Sequence, residues 1–538
     1  MSNRIYNILF HTHTVSGLVI SVALYVIFFA GSISFFRDDI IAWERGQSIA
    51  PDTQMDADYN QVLDTLAARH GALYGRNINI RQPHQERNIV VSMEPSKDSL
   101  ASDLAKQSVF TYIDSNTYEE ANYFSSYTLG EFIYRLHFFA QIPYPYGYLL
   151  SGFVAFFFLF AIVTGVVVHW KKIISNFYIF RPSAKLKTLW TDAHTALGLI
   201  GLPFQFVFAV TGAVLIIGTT VMLGPASSLI YKNDREYMFR ELMDQPEPKT
   251  FENDLIGFNA DMNELIHQAS SHWSHANLSR VVIQNYGDPA MRIIIEGRPQ
   301  NTDAFLGLGR VIFDRTGQVV SATDAQSINY VIGVDQTMRS FHFGNFGGYG
   351  LRIIYFVFGI ISCFVILSGV LIWVRARDKK STEPWKRKAN EWVGSIFMAI
   401  SLTMYPATAL IFSVVKLFKD PADPTPHVMI YKVFFISWLI LSVGFALRKS
   451  NFITTKYSLL LGSVLGFGIP VVNGLVTGGW FWKTIQNNQT QIFVVDAFWL
   501  IISISTLLIF IKLKKPIESA QPVKSKAIPK SQKQPVLS

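Results

Sequence analysis

The sequence predicts a polytopic α-helical membrane protein with about eight transmembrane helices and two small α+β modules, with an internal parallel repeat over residues 1–175 and 190–378. Three observations predict it. Half of the 538 residues are hydrophobic and only 16% are charged, and several apolar runs reach the ~18–20 residues that cross a bilayer. Two long polar stretches, 37–136 and 225–340, interrupt those runs. Histidines and glycines recur at matched places: His13 and His194 are 181 residues apart, as are Gly17 and Gly198, and Gly31 and Gly212, while His137 and His342 are 205 apart.

Taken in order, residues 1–36 hold the first span, from about Thr12 to Phe35, and 37–136 form the first polar module. Residues 137–175 span back, ending in Trp170-Lys171-Lys172. Residues 190–224 hold the third span, which Pro203 is expected to kink. Residues 225–340 form the second module and 341–378 the fourth span. Four more apolar segments, at about 391–417, 428–447, 457–480 and 491–511, form an extension over 391–513, and a basic Lys/Pro/Ser tail, 514–538, is expected to be disordered.

Each module offers an amphipathic helix (Tyr59–Ala68; Asn263–Ser270), then a strand, a turn and a strand (Ile78–Arg81 and Ile89–Ser92; Val281–Ile283 and Arg292–Ile295), then a third strand (Val109–Asp114; Arg310–Asp314). Each half of the repeat spans twice, so both halves enter the bilayer in the same sense, and the symmetry axis lies along its normal.

The formal charge of +9 does not point to nucleic acid. The basic residues gather beside helix ends: Lys171, Lys172, Arg181, Lys185 and Lys187; Arg375 to Lys388; Arg448, Lys449 and Lys456; Lys512, Lys514 and Lys515. With eight spans, all of these fall on one side with both termini. The positive-inside rule makes that side the cytoplasm and puts both modules outside, which in a Gram-negative cell is the periplasm; a bacterial inner (plasma) membrane is the expected location. The first apolar run is too long for a cleavable signal peptide. The single cysteine, Cys363, excludes an intrachain disulfide, a Cys-x-x-Cys-His attachment and an all-cysteine iron–sulfur site.

Topology sorts the histidines by depth. His13 and His194 begin helices that leave the cytoplasm; His137 and His342 precede helices that return to it. An axis along the normal brings like positions together, which yields two pairs, one near each membrane face. Four histidines at matched positions and two depths favour metal ligation over interfacial caps. A proton pathway would require carboxylates, and these four spans hold almost none between their ends. Two b-type haems (heme b), each held by axial imidazoles without covalent attachment, would carry electrons through the insulating core. Arg135, Arg339 and Arg352 lie where propionates could pair with them.

Two further histidines stay open. His169 ends the second span and could replace His13 or His194, although an interfacial anchor beside Trp170 explains it as well. His11, two residues from His13, points roughly the other way and is an alternative ligand only. His272 and His275 have metal-compatible spacing but fit a module surface better. His70, His84, His267 and His427 have no evident partner.

The motifs His13/Gly17, Asp192-Ala193-His194/Gly198, Arg135-Leu136-His137, Phe341-His342…Gly350-Leu351-Arg352, and Thr164-Gly165 and Ser368-Gly369 ahead of the basic exits together carry a resemblance. Over roughly residues 1–380 the chain resembles the PepSY-associated transmembrane proteins, among them the iron-regulated ferric-siderophore reductases of Gram-negative inner membranes. The resemblance implies PepSY-type periplasmic modules and a b-haem protein that delivers electrons to a periplasmic ferric-siderophore, whose iron is released because ferrous iron is held far more weakly. Family members often carry a second tryptophan where His169 stands, and the extension lies outside the shared region. No nucleotide-binding glycine fingerprint is evident, so electrons would come from a membrane quinol or a separate cytoplasmic flavoprotein. Two other functions compete: a PepSY-type binding or regulatory membrane protein, and a siderophore or cation transporter.

Overall fold

The computed structural model describes residues 2–47, 57–81, 88–173, 178, 181, 186–273, 276–299, 306–326, 329–420 and 422–514. Among them, eight helices are long and apolar enough to cross a membrane, and the chain is a multi-pass membrane protein. The expected tail beyond Lys514 lies outside the described residues, as do His84, His275 and Lys185.

The spans are longer than their apolar cores. Helix α1 covers Asn3–Ser34, so His13 sits well inside the helix rather than at its start. A short helix, α2 (Arg37–Arg45), turns off its end. In the first polar stretch lie α3 (Tyr59–His70) and α4 (Leu129–His137), and α5 (Tyr146–His169) follows. Helix α6 (Leu186–Ala213) runs unbroken past Pro203. Departure from α geometry comes one turn or more later, where Val214–Met222 forms a π-helix that continues into Leu223–Leu229.

The second polar stretch holds α7 (Met262–Ser271) and α8 (Tyr330–Phe343). Spans α9 (Gly348–Arg377), α10 (Pro384–Phe418), α11 (Pro426–Leu447), α12 (Asn451–Thr477) and α13 (Thr490–Lys512) complete the chain. Helices α1, α5, α6 and α9 close a four-helix ring, in which each packs on two of the others.

The two polar stretches do not make separate modules. Strands β1 (Ile78–Arg81), β2 (Asn88–Met93), β3 (Val109–Asp114) and β4 (Glu120–Ala121) come from the first, and β5 (Ala276–Gln284), β6 (Arg292–Pro299), β7 (Gly309–Asp314) and β8 (Val319–Thr323) from the second. They join in one antiparallel sheet of order β4-β3-β2-β1-β5-β6-β7-β8. The seam pairs Ile78 with Ile283 and Ile80 with Val281. Val and Ile at these positions are buried on both sides of the seam, so one hydrophobic core, with Leu66 of α3 and Leu265 of α7, serves both halves.

Helix caps interlock across the same seam. Asn60 donates to Asp261 at 2.8 Å and accepts from the Met262 N–H, while Asn263 donates to Asp58 at 2.8 Å and accepts from the Tyr59 N–H. Strands β4 and β8 were not foreseen: one is two residues long, and the other is exposed throughout, so neither shows a buried alternation.

The last four spans dock on the ring through α2 and α9. Trp43 donates its indole N–H to Asp496 at 2.8 Å, and Asn473 donates to the other Asp496 oxygen at 2.9 Å. Glu44 pairs with Lys419 at 2.5 Å and accepts the Leu129 N–H at 2.6 Å. Each of these buried carboxylates is therefore satisfied, which is what makes burial of a charge tolerable.

Candidate functional site

Four histidines meet in two pairs inside the ring. His13 of α1 faces His194 of α6, with ring centroids 6.4 Å apart. His137, the last residue of α4, faces His342 near the end of α8, with centroids 5.8 Å apart. Thus the partners come from opposite halves of the chain in both pairs. Along α1, eighteen residues separate His13 from Gly31, which abuts His137; that is about 27 Å of helix, close to the thickness of a bilayer core.

Glycine seats each imidazole. A Cβ on Gly31 would strike the His137 ring. At Gly165 it would come within 3.1 Å of His13, and at Gly369 within 3.2 Å of His194. Gly212 is looser, with His342 at 3.7 Å. In three cases the carbonyl four residues before the glycine is left uncovered on the helix face, and the ring takes it: His137 Nδ1 to Ile27 O at 2.7 Å, His13 Nδ1 to Ala161 O at 2.9 Å, and His194 Nδ1 to Val365 O at 2.9 Å. His342 Nδ1 instead meets the Thr211 hydroxyl at 2.8 Å.

A carbonyl can only accept, so Nδ1 of these rings carries the proton and Nε2 keeps its lone pair. Among the described residues no hydrogen bond reaches Nε2 of any of the four. His137 and His342 lie outside the spans. Burial lowers the pKa of both, and for His342, with His137 and Arg339 adding to burial, to about 3. Neutral imidazole is the form that ligates a metal.

The donor set fits a planar metal macrocycle. A first-row metal lies about 2.0 Å from an imidazole nitrogen, so two rings on opposite sides of it have centroids about 6 Å apart; the observed pairs fall on either side of that. Among the described residues no cluster of three or more His, Cys, Asp or Glu side chains is placed to hold an ion; the four histidines stand in twos. Around the outer pair, a cavity of about 290 Å³ is walled by Phe28, Phe158, Phe208 and Tyr148 and rimmed by Arg37, Arg339 and Arg352. Its size is at the lower edge of cofactor pockets, about 300–1,000 Å³. Arg352 reaches Asp39 at 3.1 Å, while its buried Nε has no partner among the described residues. An acceptor from a bound group would satisfy it.

Arg135 does not join this rim. Two residues from His137 on the same short helix, it projects away and meets Glu131 at 3.7 Å and the Tyr123 ring. Arg37, which follows the first span directly and pairs with Glu131 at 2.8 Å, takes the place expected of Arg135. Its only sequence signal was that position. Thr211 was also missed, although Thr211-Gly212 repeats the pattern of Thr164-Gly165 and Ser368-Gly369, whose hydroxyls lie 3.5 and 3.2 Å from the Nδ1 of His13 and His194.

His169 is half-buried and within electrostatic reach of His13 and His194. His11 is exposed and lies edge-on to Phe10. His70 pairs with Glu120 at 2.7 Å, His427 packs among Phe124, Tyr127 and Tyr431, and His267 and His272 are exposed.

Comparison with curated proteins finds no match. A family model described as the PepSY-associated TM region matches residues 10–376, which takes in all four histidines, the joined sheet and the helix ring, and the chain belongs to that family.

Proposed function

We propose that this protein is a b-haem oxidoreductase of a bacterial inner membrane, which carries electrons across the bilayer to a periplasmic ferric-siderophore and so releases its iron. One observation carries the proposal: two facing imidazole pairs stand about a bilayer's depth apart, each ring with Nδ1 engaged and, among the described residues, no hydrogen bond at Nε2. A b-type haem bound at each pair supplies reversible one-electron chemistry.

The chain's own residues do the rest. His13 with His194, and His137 with His342, would hold the metal, each in the tautomer that the acceptors on neighbouring helices enforce. Arg339 and Arg352, joined by Arg37, receive carboxylates at the outer rim. Phe28, Phe158 and Phe208 keep water out between the two levels. The basic connectors support cytoplasmic termini and a periplasmic sheet. The reciprocal Asn60 and Asn263 caps and the cross-half pairing of histidines support a parallel repeat about the membrane normal. Electrons enter at the His13/His194 end from a membrane quinol or a cytoplasmic flavoprotein, and the acceptor docks at the sheet-bearing end.

The test is a reduced-minus-oxidised spectrum with a pyridine haemochrome count on purified protein, His342→Ala and His194→Ala. About two haems per chain, with each variant losing one, are expected, followed by reoxidation of the reduced protein by ferric-siderophores. Absence of haem in protein made under haem-replete conditions would overturn the proposal and leave a PepSY-type binding protein or a transporter.

A further inference from the structure

The four imidazoles are not equally anchored. His13, His194 and His137 give their Nδ1–H to backbone carbonyls at 2.9, 2.9 and 2.7 Å, acceptors that no substitution removes. His342 gives its Nδ1–H to a side chain, the Thr211 hydroxyl at 2.8 Å. That hydroxyl spends its own proton on the Val207 carbonyl at 2.6 Å, so toward His342 it acts as acceptor. An alcohol oxygen is a weaker acceptor than a helix carbonyl. Hydrogen bonding at Nδ1 makes an imidazole a stronger donor to metal, and a more basic ligand stabilises the oxidised metal over the reduced.

We propose that Thr211 is a positioning residue that sets the reduction potential of the outer pair, leaving His342 the least electron-rich of the four ligands and the outer site at higher potential than the inner one. The guanidinium groups of Arg37, Arg339 and Arg352 lie on the same cavity, but each is paired with a carboxylate, Glu131, Asp335 and Asp39 respectively, so their charge is balanced and the Thr211 contact carries the inference. Downhill electron flow then runs toward the sheet-bearing end, and one side chain adjusts its slope. This inference rests on the paired haem ligation proposed above.

The experiment is a spectroelectrochemical titration of the haem-loaded full chain. The midpoint that disappears in His342→Ala identifies the outer site. It is expected to be the higher of the two. Thr211→Val, which leaves the Nδ1–H unpaired, should raise that midpoint further and leave the other in place, and Thr211→Ser should restore the wild-type value. An outer midpoint below the inner one overturns the inference, and this readout needs no Thr211 variant to fold. A Thr211→Val protein with both haems and both midpoints unmoved, or a serine variant shifted as far as valine, overturns it equally. In each of these cases paired ligation itself survives; a wild-type protein without haem would end both.

Discussion

His13 and His194 meet 6.4 Å apart between carbonyls of α5 and α9, whereas His137 and His342 meet 5.8 Å apart beside a cavity of about 290 Å³ rimmed by three arginines. The seat is the same at both ends: a glycine on a core helix and an acceptor for Nδ1. The approach differs. Both inner ligands ride within long spans, so helix packing closes around them. Both outer ligands ride on short helices, α4 and α8, that come in from the sheet; α8 also brings Arg339, while Arg37 comes from α2 and Arg352 from the span α9. The inner ligands are thus carried by the helix ring itself and the outer ligands by short helices inserted against it.

The seats offer the sharpest way to break this comparison. Gly31→Ala would drive a methyl into the His137 ring, whereas Gly212→Ala meets nothing closer than 3.5 Å. The first variant is expected to lose the outer haem and to be destabilised by roughly 1–3 kcal/mol, as overpacking a tight contact does, while the second keeps both haems and its stability. A haemochrome count beside thermal unfolding decides it; a Gly31→Ala protein with two haems and a wild-type spectrum would remove the glycine seat from the account.

Charge distinguishes the outer end next. Asp39 is 1% exposed and accepts hydrogen bonds from Tyr349 at 2.6 Å and Arg352 at 3.1 Å. Desolvation pushes its pKa up to about 6, against the pull of Arg352 and Tyr349. A carboxyl raised in the folded protein contributes stability that is fully present below its unfolded value, near 4, and is lost as pH rises through the folded one. Unfolding followed from pH 4 to pH 6 should therefore show a decline of up to roughly 3 kcal/mol from this group. Asp39→Asn should flatten that slope; an unchanged slope would show that Asp39 does not titrate there.

The smallest effects belong at the inner end. His169→Ala is expected to keep about two haems with a slight change in the inner spectrum, and His11→Ala to change nothing, since its ring faces out. A haem count halved by His169→Ala would move the inner ligand set to His169.

Much of this architecture was legible before any coordinates. Each of the eight apolar runs overlaps one observed span, because a bilayer demands consecutive apolar residues and such a demand is local. Strands β1 to β3 and β5 to β7 announced themselves by β-branched runs between turns, while β4 and β8 lacked the buried alternation that marks a strand. Matched histidine and glycine positions pointed to two pairs, and the structure brings those histidines together.

Other features depend on contacts between residues far apart in the chain. Arg135 and Arg37 could not be told apart by proximity in sequence, since only the rotation of α4 against α2 decides which guanidinium reaches the cavity. The joining of two polar stretches into one sheet depends on the β1–β5 seam, about 200 residues apart in the chain. The acceptors of the four Nδ1 atoms, three backbone carbonyls and the Thr211 hydroxyl, follow from helix register across the ring. Hydropathy, charge placement and the spacing of histidines are properties of the chain itself and fixed the spans and the candidate ligands. Which ring faces which, what holds its proton and where a cavity remains are properties of packing, because each requires groups distant in sequence to arrive within a hydrogen bond of one another.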